Sequence, residues 1–228
     1  MQETLVLFDV ETVNDTLFAI GACVISMTQD QAAEGGFRLV IDPTEKIRFS
    51  VGGVQFPMKG TYGYDFWTRN ATAFRTLSSE ANPREDVASY LEKWLGQIGE
   101  KYPNATYASA DGAVDMWMLS EFMTSSGLRP MTFFRTGNGE CEFRKPVDTR
   151  SYAKGLLDSR EPLCNPPEYA LWKNVYRVFE LCVDEDTGDA VPCMVNPYNH
   201  THLPDDDAAE EAFNYMYVKM SLVIRASL

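Results

Sequence analysis

Apolar positions dominate the start of the chain. Thr4 to Val10 (TLVLFDV) predicts a buried strand, Phe18 to Met27 (FAIGACVISM) a second and Phe37 to Ile41 (FRLVI) a third, with a short polar turn around Asn14-Asp15. This spacing predicts a meander of three antiparallel strands. A less regular aromatic region follows from Phe49 to Phe74. Asn82-Pro83-Arg84-Glu85 then marks a helix start, after which Val87, Tyr90, Leu91, Trp94, Leu95 and Ile98 recur at helical spacing. Ala105 to Ala110 predicts a short strand of small residues, and Val114 to Met123 a buried helix directly after it. Phe143 to Val147 predicts a further strand ending at Asp148, and Ser151 to Leu157 a short helix.

Prolines punctuate residues 160–200, where one helical stretch is expected near Tyr169 to Leu181, and this segment reads as an insertion or lid. From Asp205 to about Ile224 the pattern is strongly helix-forming, with an acidic first turn that suits a helix N-terminus. The order β-β-β-α-β-α-β-α plus a C-terminal helix predicts an α/β fold. It implies a mixed sheet, three antiparallel strands then parallel ones, with helices on both faces. A single domain over 1–228 is expected for a chain of 228 residues with 45% hydrophobic content. No G-x-G-x-x-G or P-loop pattern is present.

Charge narrows the function. With 33 acidic against 20 basic residues the formal charge is −13, which argues against non-specific coating of duplex backbone. It leaves room for an enzyme that meets phosphate through bound cations. The five cysteines form no C-x-x-C pair, so neither a zinc site nor a disulfide framework is indicated. Met1-Gln2-Glu3 is no basic leader and no apolar run is long enough to span a bilayer, so a cytoplasmic protein without membrane association is expected.

The candidate chemistry lies in three places. Asp9 and Glu11 end the first strand, and period-2 alternation points both to one side. Buried together they would repel and be desolvated, and a divalent cation removes both penalties. An isolated D-x-E is more often a solvent-facing strand end. Asp115, however, falls in an otherwise apolar helical start, where a carboxylate needs a partner; Asp111 in the preceding turn is its rival. The third place is His202-Leu203-Pro204-Asp205-Asp206-Asp207, a histidine five residues before an aspartate at a helix opening. His200 stands in the same relation to Asp205, so the register is open, with His202 and Asp207 preferred because Asp207 lies deeper in the helix.

Taken in order, Asp9-Val10-Glu11-Thr12, Asp115, and His202 with Asp207 resemble the motifs of the DEDDh 3′–5′ exonucleases, which share a ribonuclease H-like fold. Within that family the chain looks most like the branch of bacteriophage exonuclease A and the mycobacterial exoribonuclease. Asp65-Phe66-Trp67-Thr68-Arg69-Asn70 is similar to a tryptophan segment of that branch, and Val147-Asp148-Thr149-Arg150 to its D-x-R-T segment. Ala110 stands where the second motif usually has asparagine. The resemblance implies two Mg²⁺ or Mn²⁺ ions, with Asp9, Glu11 and Asp207 holding the first, Asp9 bridging to the second and Asp115 steadying it. Such ions, roughly 4 Å apart, clamp the attacking and leaving oxygens of an in-line displacement. His202 would be the general base, which an imidazole can be at neutral pH.

The expected partner is nucleic acid, a single-stranded DNA or RNA 3′ end, and a homodimer is a possible assembly. Thr12, Phe66, Trp67, Arg69 and Arg150 are the expected substrate contacts. Phe66 and Trp67 would stack a terminal base, and Arg69, Arg150 or Arg144 would meet phosphate. Two other functions fit the same residues: an inactive nuclease-fold binding module, and a metal phosphodiesterase acting on small nucleotides.

Overall fold

The two apolar runs at the start form one long hairpin. β1 (Gln2–Val13) pairs antiparallel with β2 (Thr16–Gln29) in the computed structural model, which describes residues 2–29, 37–41, 45–109, 112–128, 147–149, 179–183, 190–194, 201–212 and 215. Both strands extend past the apolar runs, because backbone pairing continues through polar residues such as Glu11, Thr12 and Thr16. Asn14 and Asp15 make the two-residue turn with φ of 48° and 61°, the left-handed values that a tight, right-twisted hairpin demands and that Asn and Asp tolerate. A bulge between Glu11 and Thr12 shifts the register just before the turn.

The outer edge of β2 carries two strands in succession. β3 (Phe37–Ile41) pairs with Ile25–Gln29, and β4 (Ile47–Val51) pairs with Ala19–Ala22, both antiparallel. The aromatic region reads as irregular in sequence but takes in the end of β4, the whole of α1 (Tyr64–Arg69) and the start of α2 (Ala71–Ser79). β5 (Ala81–Asn82) leads into α3 (Arg84–Lys101), and β6 (Thr106–Ser109) into α4 (Gly112–Ser125). β6 pairs parallel with β1, and β7 (Val147–Asp148) parallel with β6. The strand order is β5-β4-β2-β1-β6-β7, with β3 beside β4 on β2. This is the mixed α/β sheet that the element order predicts.

Each face of the sheet has its own core. Val6 and Phe8 of β1 and Ile20, Ala22 and Val24 of β2 pack on Val87, Leu91, Trp94 and Ile98 of α3 and Leu119, Phe122 and Met123 of α4. Truncating a residue such as Leu91 to alanine costs about 2–5 kcal/mol in such a setting. On the opposite face Leu5, Leu7, Cys23, Ile25 and Ala108 meet Ala208, Ala209, Ala212 and Tyr215. Residues 204–212 are helical, and this segment is termed α5. Its small alanines let the helix lie close to the sheet. A third cluster, Val13, Phe18, Trp67, Phe74 and Leu77, fills the space under the hairpin tip.

One expected helix is corrected in part. Residues 179–181, placed in a helix near Tyr169 to Leu181, instead belong to β8 (Phe179–Val183), which pairs antiparallel with β9 (Ala190–Met194). Phe179, Leu181 and Val183 alternate with Glu180 and Cys182, a strand period that the helical reading overlooked. The rest of that helix, the 143–146 part of the expected strand, the helix at 151–157 and the C-terminal helix beyond 215 lie outside the described residues. So do Asp111, Arg144, Arg150 and His200. Among the described residues no helix is long and apolar enough to cross a membrane.

Candidate active site

Asp9 and Glu11 share the β1 face that carries Leu5 and Leu7, so strand alternation aims both carboxylates toward α5. The bulge follows Glu11 directly, and the indole Nε1 of Trp67 donates to the Thr12 carbonyl there at 2.9 Å. That bond fixes the backbone beyond Glu11.

α4 begins just past the C-terminal end of β6, which runs parallel to β1 with Ser109 opposite Phe8. Asp115 in its first turn therefore arrives at the same end of the sheet as Asp9. It is only 6% exposed. The partial positive charge of the helix N-terminus favours a carboxylate at this position.

α5 supplies the third part. Its entry is a hydrogen-bonded loop: the Thr201 amide donates to Asp207 Oδ1 at 3.0 Å, the Thr201 hydroxyl to Asp206 Oδ2 at 3.1 Å, and the amides of Asp206 and Asp207 to the Leu203 carbonyl. His202 sits in this loop at φ 56°, an uncommon conformation for a residue with a side chain. The twist sets its ring edge-on against Phe66, centroids 4.8 Å apart, and brings Nδ1 to 3.7 Å from Glu11 Oε1.

Glu11, His202 and Asp207 each present a ligand atom within 4.8 Å of the others. Such a set of carboxylate oxygens and an imidazole nitrogen could hold a divalent cation with small side-chain adjustments, since oxygen ligands sit about 2.0–2.6 Å from Mg²⁺ or Ca²⁺. Asp9 and Asp115 are not part of this trio, but Asp9 lies within the field of its carboxylates. Burial first, then the negative charges of Glu11, Asp115, Asp207 and Glu211, push its carboxyl well above the ordinary value of 3.8. Four carboxylates from three separate segments thus act on one buried group, which a bound cation would relieve.

Two members of the aspartate run pair with cations. Asp205 is held by Arg48 Nη1 at 2.7 Å and Lys46 Nζ at 3.2 Å, and Asp206 also pairs with Lys46. Asp207 is the member of the run that reaches Glu11 and His202.

The expected substrate contacts fare unevenly. Trp67 is 0% exposed, packed against Phe18, Phe66 and Phe74 with its indole N–H bonded, so it has no face to offer a base and its expected stacking role is withdrawn. Phe66 is half-buried and borders the site through His202. Thr12 borders it through the strand, its carbonyl taken by Trp67. Arg69 lies exposed at the end of α1, its Nε donating to the Asp65 carbonyl at 3.2 Å. Glu211 escaped the sequence reading, although it follows Asp207 by four residues and so shares its helix face. An acidic run at a helix start hides such a member, because its neighbours carry the same charge.

No protein-family model matches the chain, and no curated protein matches it.

Proposed function

We propose that the chain is a metal-dependent 3′–5′ exonuclease of ribonuclease H-like fold, releasing nucleoside 5′-monophosphates from single-stranded DNA or RNA ends. The reading rests on one observation: Glu11, His202 and Asp207 meet within 4.8 Å, while Asp9 feels the charges of Asp115 and both acidic partners. These groups come from β1, α4 and the entry and first turn of α5, and nothing in core packing requires such mutually repelling residues to gather. The order of antiparallel strands followed by parallel ones, with helices on both faces, supports the same fold assignment.

In this proposal Asp9, Glu11, Asp115 and Asp207 would hold Mg²⁺ or Mn²⁺. When bound, such a cation pair supplies positive charge to the scissile phosphate and to both oxygens of the displacement. The protein's own groups do the rest. His202 sets Nδ1 3.7 Å from Glu11 Oε1, and its imidazole would accept the proton of the attacking water. Phe66 holds the imidazole edge-on and limits its rotation. The Thr201 amide donates to Asp207 Oδ1 and so steadies that carboxylate beside the cluster.

The test is digestion of a 5′-labelled oligonucleotide of graded length with Mg²⁺ or Mn²⁺. A stepwise ladder that disappears in Asp9→Ala and in EDTA is the expected result. If Asp9→Ala degrades the strand at the parent rate, the catalytic assignment is wrong. Turnover of dinucleotides alone would point instead to a small-nucleotide phosphodiesterase.

A further inference from the structure

Asp9, Gly21 and Arg48 occupy one row across three adjacent strands: Asp9 is in register with Gly21, and Gly21 with Arg48. Residues in register on neighbouring strands point to the same face. At neighbouring-strand spacings of about 4.8 Å, a carboxylate and a guanidinium therefore flank a bare glycine. Over that glycine sits the start of α5. A β-carbon on Gly21 would fall 2.0 Å from the Pro204 carbonyl carbon and 2.2 Å from the Asp205 nitrogen, so the helix rests on the sheet where a side chain is missing.

Three aspartates then emerge from the first turn, spaced by about 100° around the axis. Nothing in their identity decides which of them faces the acidic side. The cations of β4 and the residue before it do. Arg48 Nη1 holds Asp205 at 2.7 Å, and its Nε and Nη2 hold Glu80, at the end of α2, at 3.0 and 3.1 Å. Lys46 binds both Asp205 and Asp206. Asp207 remains for the other side of Gly21, beside Glu11 and His202 and within the field of Asp9. Without the two cations, like-charge repulsion would drive Asp207 and its helix away from Asp9 and Glu11.

We infer that Arg48, assisted by Lys46, is a positioning residue for the proposed cation site: by holding Asp205 and Asp206 on one side of Gly21 it keeps Asp207 on the other, against the repulsion of the β1 carboxylates. The inference rests on the metal-site reading above. It assigns Arg48 no contact with cation or substrate. Its effect passes entirely through the register and tilt of α5.

The experiment is calorimetric titration of Mn²⁺ into the full chain and into Arg48→Met, Arg48→Lys, Asp205→Asn and the Arg48→Met/Asp205→Asn double variant, with melting in EDTA run alongside. Arg48→Met and Asp205→Asn should each weaken Mn²⁺ binding about 10-fold or more, the usual effect of removing a group that orients a ligand. The double variant should be no worse than either single one, because both cut the same link. Arg48→Lys should recover part of the loss, since it keeps the charge but not the fork to Glu80. A merely structural role would lower the melting temperature in EDTA and leave Mn²⁺ affinity at the parent value, which would overturn the inference. If Arg48→Met does not fold, Asp205→Asn decides alone: parent affinity there overturns it equally. Failure of the parent chain itself to take Mn²⁺ would instead remove the metal-site reading, and this inference with it.

Discussion

Pro204 lies so close above Gly21 that any β-carbon at position 21 would overlap its backbone, at 2.0 Å from the carbonyl carbon and 2.2 Å from the oxygen. The obstacle is backbone, not a flexible side-chain tip, so it cannot swing aside. Gly21→Ala should therefore lift the start of α5 and carry Asp207 with it. The expected cost is about 1–3 kcal/mol of stability by denaturant unfolding, the usual range for overpacking. The proposed metal-dependent nuclease activity should fall by more than that stability loss explains. An alanine variant with parent stability and activity would show that the helix does not rest there.

Asp9 predicts an unusual pH response. Burial and four neighbouring carboxylates raise its pKa above 3.8, so the folded state prefers the protonated form. Its favourable contribution is complete below 3.8 and is lost as pH rises through the elevated folded value. In EDTA at neutral pH, Asp9→Asn should melt higher than the parent, and the difference should shrink toward zero on acidification. Added Mn²⁺ should reverse the ranking. At 100 times its dissociation constant a bound ion stabilises the parent by about 2.7 kcal/mol, and the amide should gain much less. Melting curves across pH, with and without Mn²⁺, check both signs.

His202 stands near enough to Glu11 and Asp207 to act either as base or as ligand. The proposed role as base makes a separable forecast. His202→Ala should reduce turnover by about 10²–10⁴-fold, the range for a general base, while Mn²⁺ affinity by calorimetry stays within a few-fold of the parent. A parallel collapse of affinity would make it a ligand. His200→Ala should leave turnover intact, and the opposite outcome would move the motif to His200 and Asp205.

Trp67 should matter for structure before chemistry. Trp67→Phe keeps most of the buried ring but removes the Nε1 bond to the Thr12 carbonyl. About 0.5–1.5 kcal/mol of stability should go with the bond itself, with a further desolvation cost of about 1–3 kcal/mol if the Thr12 carbonyl stays buried without another partner. Binding of a single-stranded oligonucleotide should be unaffected in affinity. A large binding loss at parent stability would restore the stacking role withdrawn above.

Legibility of this chain followed the reach of each interaction along the sequence. β1 and β2 could be read because strands covered on both faces leave nearly continuous apolar runs, and Asp9 and Glu11 stood out as charges within one. Asp115 was visible as a lone acid in an apolar helix start. The pairing of Arg48 with Asp205 was not, since it depends on which residues of β4 and β2 stand opposite each other, a cross-strand register that local patterns do not encode. Nor was the need for a glycine at position 21 apparent inside an ordinary strand run. The aromatic stretch around Phe66 and Trp67 was readable as aromatic but not as core or surface, because burial is decided by residues such as Phe18 and Phe74 on other elements.

The loop that carries His202 and the strand that carries Glu11 are drawn from opposite ends of the chain. The β1–β2 hairpin can close early through local contacts, yet the carboxylate and histidine cluster has no existence until α5 docks over Leu5, Leu7 and Cys23. Assembly of the Glu11–His202–Asp207 cluster is thus tied to the closing of the second core.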